Sequence, residues 1–146
     1  SNLFKNSAYY WGFAAVVGYV LCHPDYTAPT NMTQIQVGGG LMAAAELVNL
    51  LVHLQLSGMR KVEGDKKRDA PGGPLFALVS CPNYTAEVLS WVGFSIMVQI
   101  AASYAFTTVG LLQMSQWALK KHADYIKSSD GAYKKKGRKA IIPFLL

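Results

Sequence analysis

Uncharged, largely apolar stretches alternate along the chain with short segments that carry almost all of its charge. Asn6 to Pro24 forms the first stretch, and Val37 to Leu56, whose only charge is Glu46, forms the second. From Val88 to Leu119 no residue is charged, and this run exceeds the about 18 apolar residues that identify a membrane span. The pattern predicts an all-α integral membrane protein.

Two further segments complete the predicted bundle. Ala70 to Ala86 is uncharged but rich in proline and glycine, so it predicts a short or re-entrant element whose backbone needs shelter by protein. Thr85 to about Lys121 contains no proline, and we predict one long tilted helix there rather than two. The expected architecture is one domain, residues 1–146, with about four transmembrane or re-entrant helices.

The positive charge indicates how this bundle is oriented. Arg60 to Asp69 carries a net charge of +2 and Lys120 to Lys139 one of +6, while the rest of the chain carries −2. The positive-inside rule places both segments in the cytosol, which four crossings satisfy if Ala70 to Ala86 is one of them. The basic tail is expected to contact anionic lipid, and we expect no nucleic-acid partner for a chain this apolar.

Few residues of the chain are suited to metal or nucleotide chemistry. The two cysteines lie far apart, and the three histidines form no H-x-x-H or H-x-x-x-H pair. No metal site is predicted, and di-iron desaturases and hydroxylases are excluded. The sequence also has no P-loop, no G-x-S-x-G and no G-x-G-x-x-G after a strand.

Polar residues within the second stretch fall on one side of the predicted helix. At 100° per residue, Glu46, Asn49 and His53 form a stripe that continues to Arg60 at the cytosolic edge. Ionisable groups inside a span are functional candidates, and a guanidinium at the end of the stripe is suited to phosphate. The alternative is hydrogen bonding between helices that stabilises the bundle.

A second polar cluster precedes the long uncharged run. Asn83, Tyr84 and Glu87 lie there, and Glu87 heads a helix face that is otherwise apolar. Asn83 as a helix cap and Glu87 in the first turn would explain both residues structurally. These structural roles do not explain Tyr84. We expect Tyr84 to lie beside an apolar cavity, near the amide of Asn83 and the carboxylate of Glu87.

The far end of the same run carries a third group of polar residues. Lys121, His122 and Tyr125 share a helix face, and the basic tail follows them. The apolar ending, Ala140 to Leu146, is unusual after so basic a cluster. We predict that it folds back onto the bundle.

Four separated motifs resemble the steroid 5α-reductase family. They are Phe4-Lys5-Asn6-x-x-Tyr9-Tyr10-Trp11, Val79-Ser80-Cys81-Pro82-Asn83-Tyr84-Thr85-x-Glu87, Trp117-Ala118-x-x-Lys121-His122-x-x-Tyr125 and Ile141-Ile142-Pro143-Phe144-Leu145-Leu146. The resemblance covers almost the whole chain and implies that it is the C-terminal half of a larger multi-span reductase. It also implies a multi-pass protein of the endoplasmic reticulum membrane with a cytosolic C-terminus.

The resemblance implies NADPH-dependent reduction of a carbon–carbon double bond conjugated to a carbonyl. Tyr84, where steroid-reducing relatives tend to have Phe, favours very-long-chain trans-2-enoyl-CoA as substrate, in the last step of fatty acid elongation. Tyr84 would then be the proton donor. The other expected partners are the lipid bilayer and other fatty acid elongation enzymes. The implied cofactor-binding residues are Asn49, Arg60, Asn83, Glu87, Lys121, His122 and Tyr125.

Two alternatives remain open at this point. Within the family, the substrate could be a steroid or polyprenol enone. In a different class, the chain would be a non-catalytic membrane subunit whose polar stripes hold the helices together and whose basic tail binds anionic lipid. NADPH binding distinguishes the classes, because a non-catalytic subunit has no need of a dinucleotide.

Overall fold

Four α-helices follow one another along the part of the chain that the computed structural model describes, residues 2–59, 70–129 and 132–146. They are α1 (Asn2–Leu21), α2 (Met32–Gly58), α3 (Pro82–Val98) and α4 (Ala101–Ser128). Two short 3₁₀ turns, Pro74–Phe76 and Lys134–Lys136, lie in the connections. Within these ranges the fold is helical, as predicted.

Neighbouring helices in the bundle are antiparallel. Gly38 of α2 lies against Gly93 of α3, while Glu46, two turns later in α2, meets Ser90, which precedes Gly93. Phe106, near the start of α4, contacts the rings of both α1 and α3. The C-terminal ends of α2 and α4 therefore lie at the same end of the bundle.

The predicted single helix from Thr85 to Lys121 is wrong, because the chain reverses at Gln99. Gln99 adopts a left-handed conformation with φ of 52°, and its N–H closes the last turn of α3 on the carbonyl of Ser95 at 2.9 Å. A left-handed residue just after a helix is usually Gly or Asn, so Gln gives no sequence signal of a stop.

Side chains from other parts of the chain stabilise this reversal. The last carbonyls of a helix lack partners within it. Here the carbonyl of Ile96 accepts a hydrogen bond from Gln34 Nε2 at 2.7 Å, and that of Val98 accepts one from the Tyr26 hydroxyl at 2.9 Å. The break therefore depends on contacts between residues that are distant in sequence.

The segment from Ala70 to Ala86 is short, as predicted, but it does not cross the bundle, so the set of four crossings that included it is wrong. It runs over the ends of the helices, where the Gly72 carbonyl accepts a hydrogen bond from Gln55 and the Pro71 carbonyl one from Arg138, both at 2.7 Å. Its proline and glycine residues prevent a regular helix before α3. Four helices still result, because the long predicted span is divided into α3 and α4.

The C-terminal segment folds back onto the bundle, as predicted. The N–H groups of Ser80 and Cys81 donate to the carbonyls of Lys139 and Ala140 at 2.8 and 3.1 Å. Ala140 and Ile141 then join a buried apolar cluster with Cys81, Met114 and Ala118. This cluster connects the tail to the start of α3 and the middle of α4.

One described helix, α2, has the length and apolar composition of a membrane span. The apolar part of α1, Ser7–Leu21, is shorter. On the outward face of α2, Leu47, Leu50 and Leu54 are each more than half exposed. This face supports the predicted contact with lipid.

Candidate active site

Tyr84 lies in the first turn of α3, facing α4. The helix begins with Pro82 at its first position and Cys81 as N-cap, an arrangement that suits the fixed φ of proline. The Lys121 ammonium lies 4.9 Å from the centre of the Tyr84 ring, and the Trp117 ring lies 6.2 Å away. The structure therefore brings together Tyr84 and Lys121, two residues that the sequence placed in separate motifs.

Asn83 is not the helix cap that its sequence suggested. It lies inside α3 and is buried, with 6% of its surface exposed, and Glu87 follows in the second turn rather than the first. The cap and dipole explanation for these two residues is therefore wrong. Asn83 is instead a buried residue of the helix, and Glu87 lines a cavity beside it.

A cavity of about 300 Å³ lies between α1, α3 and α4. Trp117 lines it and also packs on Tyr84, so the cavity is one aromatic side chain away from the predicted proton donor. Its walls are mainly apolar, with a few polar groups, which is the usual composition of a small-molecule site. The polar side chains of its lining are Tyr9, Tyr10, Glu87, Thr107 and Gln113.

Two tyrosines of α1 contribute different groups to this cavity. The Tyr10 hydroxyl interacts with the Glu87 carboxylate across it. The Tyr9 hydroxyl is buried and has no hydrogen-bond partner among the described residues. An unpaired buried hydroxyl is costly, and among the residues that line this cavity Tyr9 carries one. Sequence reasoning used both residues only as part of a motif.

On α2, the members of the predicted polar stripe lie in different surroundings. Glu46 accepts a hydrogen bond from the Ser90 hydroxyl at 2.6 Å, which is the interhelical bonding of the alternative interpretation. The Oδ1 atom of Asn49 is buried without a partner in the described part of the chain. His53 is exposed, and Arg60 lies outside the described residues.

A hydrogen-bonded network at the end of α4 holds His122. The Tyr133 hydroxyl donates to Ser80 Oγ at 2.9 Å, and Ser80 Oγ lies 2.6 Å from His122 Nδ1. Since Ser80 accepts from Tyr133, its own proton is free to bond Nδ1, which requires the neutral imidazole. Burial lowers the pKa of His122, and the charge of Lys139 lowers it further.

The network contains two residues that sequence reasoning did not assign to the site. Ser80 and Tyr133 are both 2% exposed, and they are 53 residues apart in sequence. Tyr133 also packs 5.5 Å from the ring of Tyr125. His122 and Tyr125 thus share Tyr133 as a neighbour, whereas Lys121 faces Tyr84. No short motif could indicate this arrangement.

Over residues 1–146 the chain matches the family described as 3-oxo-5-alpha-steroid 4-dehydrogenase, and it belongs to this family. The predicted resemblance to steroid 5α-reductases is therefore confirmed. It is 47% identical to the very-long-chain enoyl-CoA reductase of Dictyostelium discoideum over 146 residues, 99% of the chain and 47% of the relative. A Trypanosoma brucei brucei protein, provisionally named an enoyl-CoA reductase, is 50% identical over 145 residues, 99% of the chain and 48% of that protein.

A plant relative represents the steroid branch. The steroid 5-alpha-reductase of Gossypium hirsutum is 34% identical over 98 residues, 67% of the chain and 37% of that protein. The chain spans about half the length of the enoyl-CoA reductases it matches. The family and these names together support an oxidoreductase.

Proposed function

We propose that this chain belongs to an NADPH-dependent reductase of very-long-chain trans-2-enoyl-CoA, acting in the last step of fatty acid elongation. The observation that carries the proposal is the position of Tyr84, which lies under the Lys121 ammonium and one side chain from the cavity lined by Glu87. The names of the relatives favour enoyl-CoA over other substrates with conjugated double bonds.

Tyr84 is proposed as the proton donor. Bound NADPH would supply a hydride to the β-carbon of the enoyl thioester. The electron pair of the double bond moves toward the thioester oxygen, and the α-carbon then gains a proton from the Tyr84 hydroxyl. The Lys121 ammonium, 4.9 Å from the ring centre, favours the negative charge left on the phenolate until solvent reprotonates it.

The residues around α3 are suited to a dinucleotide. Asn49 Oδ1, buried and unpaired, is an acceptor for an amide N–H such as that of a nicotinamide. Asn83 and Glu87 are proposed to hold the nicotinamide and ribose from α3. Lys121, His122 and Tyr125 would hold the phosphates and adenosine, with Arg60 as a further phosphate partner.

We propose that the four helices lie in the endoplasmic reticulum membrane, with the C-terminus in the cytosol. The exposed leucines of α2 support lipid contact, and the shared end of α2 and α4 supports placing both basic segments on one side. Other enzymes of fatty acid elongation are proposed as partners, because each consumes the product of another.

Reduction of a steroid enone is the second candidate. The family description and the Gossypium hirsutum relative favour it. The test is NADPH oxidation by the full-length protein in detergent, with a very-long-chain trans-2-enoyl-CoA or a steroid enone as substrate. We expect saturated acyl-CoA as the product. Turnover of the steroid alone would favour the second candidate, and failure to bind NADPH would favour a non-catalytic subunit.

A further inference from the structure

A second cavity, of about 480 Å³, lies beside the first. Tyr10, Trp91 and Phe106 line both cavities and form the partition between them. The two cavities on either side of this aromatic partition differ in the residues that line them. The first contains Glu87 and the unpaired Tyr9 hydroxyl, whereas the second is enclosed mainly by Phe13, Ala14, Val17, Gly18, Met42 and Phe94.

Two of the three polar side chains that line the second cavity, besides the indole of Trp91, are bonded to each other. Its lining includes Glu46 and Ser90, and the Ser90 hydroxyl donates to Glu46 at 2.6 Å. When an apolar ligand fills a cavity, a hydrogen-bonded pair costs less free energy than an unpaired polar group does. The remaining walls therefore favour hydrocarbon over a polar molecule.

Among the helices that line the second cavity, α1 contributes the longest stretch of residues. Its lining extends along that helix from Tyr10 to Gly18, about 12 Å at ~1.5 Å per residue. At one end of this lining, Tyr10 interacts with Glu87. At the other end, Gly18 lies toward the connection between α1 and α2. The cavity thus leads away from the end of the bundle that holds Tyr84 and Lys121.

We propose that the second cavity binds the acyl chain of the substrate and that Gly18, at its far end, determines which chain lengths are accepted. The inference rests on the proposed function and extends it. The reacting thioester end lies near Tyr84 and the first cavity, and the hydrocarbon passes the aromatic partition into the second. Gly18 leaves the far end open, since an added Cβ there would meet no atom within 4 Å.

Substitution of Gly18 by Leu adds side-chain volume at this end, starting from a Cβ that would meet no atom within 4 Å. Gly12→Leu is the matched control, because Gly12 is also on α1, also has open space around an added Cβ, and does not line the cavity. We would measure kcat/KM of the full-length protein for a very-long-chain trans-2-enoyl-CoA and for trans-2-hexenoyl-CoA. Gly18→Leu should lower the long-chain value by about tenfold or more, since contacts of one or two methylenes are worth that much.

The short substrate identifies the cause. With Gly18→Leu, turnover of trans-2-hexenoyl-CoA should stay within about twofold of wild type, and Gly12→Leu should leave both values within that range. Equal losses for both substrates, or no loss for either, would overturn the inference while leaving the proposed reaction intact. Absence of wild-type turnover despite NADPH binding would instead overturn the proposed function, and the inference with it.

Discussion

The Thr85 hydroxyl donates a hydrogen bond of 2.6 Å to the carbonyl of Ile141, a residue 56 positions later in the chain. Thr85 is the residue after Tyr84, in the first turn of α3, and Ile141 is only 1% exposed. The bond therefore ties the turn that carries the predicted proton donor directly to the C-terminal segment.

Thr85→Val should destabilise the protein. Valine preserves the shape of the side chain but leaves the buried Ile141 carbonyl without this donor, at a cost of about 1–3 kcal/mol. Thr85→Ser keeps a hydroxyl and should recover most of the loss. Thermal unfolding in detergent measures the difference, with Thr108→Val as control, because Thr108 bonds only within α4 and is exposed. Equal stability of the Val and Ser variants would contradict the assignment.

Tyr84→Phe should abolish most of the turnover while leaving the fold intact. Loss of a positioned proton donor lowers kcat by about a hundred- to ten-thousand-fold, and NADPH affinity should change little. The measurement is NADPH oxidation with enoyl-CoA, together with an NADPH binding assay. Tyr19→Phe is the control, since Tyr19 is 69% exposed and lines neither cavity. Unchanged turnover would keep the reaction and remove Tyr84 from this role.

Gly93→Ala should weaken the contact between α2 and α3. An added Cβ would lie 2.6 Å from the Gly38 carbonyl oxygen and 2.7 Å from the Met42 nitrogen, both of which are backbone atoms. The helices would have to separate, and we expect a loss of about 1–3 kcal/mol. Gly40→Ala, with nothing within 4 Å, should instead stabilise α2 by about 1 kcal/mol. Chemical or thermal unfolding of both variants tests this contrast.

Acidification should destabilise the end of α4 through His122. The pKa of His122 is lower in the folded protein than its ordinary value, because of burial and of Lys139, so the unfolded chain binds more protons. The stabilisation is complete above the ordinary pKa of about 6.5 and is lost as the pH falls through the lower folded value. His122 lies beyond the uncharged run that ends at Leu119, where water can supply the proton.

The variant His122→Asn tests the origin of this pH dependence. Asparagine can accept from Ser80 but does not titrate, so the fall in melting temperature below about pH 6.5 should become shallower. Thr108→Val, an exposed change in the same helix that removes no titratable group, is the control and should leave the slope unchanged. A slope that is the same in both variants would show that another group is responsible.

The positions of α1 and α2 were predictable because hydropathy and length are local properties. The uncharged runs Asn6 to Pro24 and Val37 to Leu56 correspond to helices that the structure places at Asn2–Leu21 and Met32–Gly58. The reversal at Gln99 was not predictable in this way. Besides Gln99 itself, which donates to the Ile96 carbonyl, the side chains that satisfy the end of α3 come from Tyr26 and Gln34, more than sixty residues earlier.

The candidate site was predictable only in part, because helical spacing is a local property and contacts between distant segments are not. Helical spacing placed Glu46, Asn49 and His53 on one stripe, yet the fully buried residue at that end of α2 is Val52, and His53 is exposed. Helical spacing shows which residues share a face, but it does not show which face packs against the neighbouring helix. The apolar ending predicted that the tail folds back, but the bond from Tyr133 to Ser80 depends on which residues the tail meets there, and no local pattern specifies those.

The reversal at Gln99 also bears on the order in which the helices assemble during synthesis. A ribosome delivers the α1 to α2 connection before α3, so Tyr26 and Gln34 are already present when the carbonyls of Ile96 and Val98 emerge. The α3 to α4 hairpin would lack these partners if it were made first. The first helical pair therefore already carries the two donors that cap the end of α3 when the second pair turns back at Gln99.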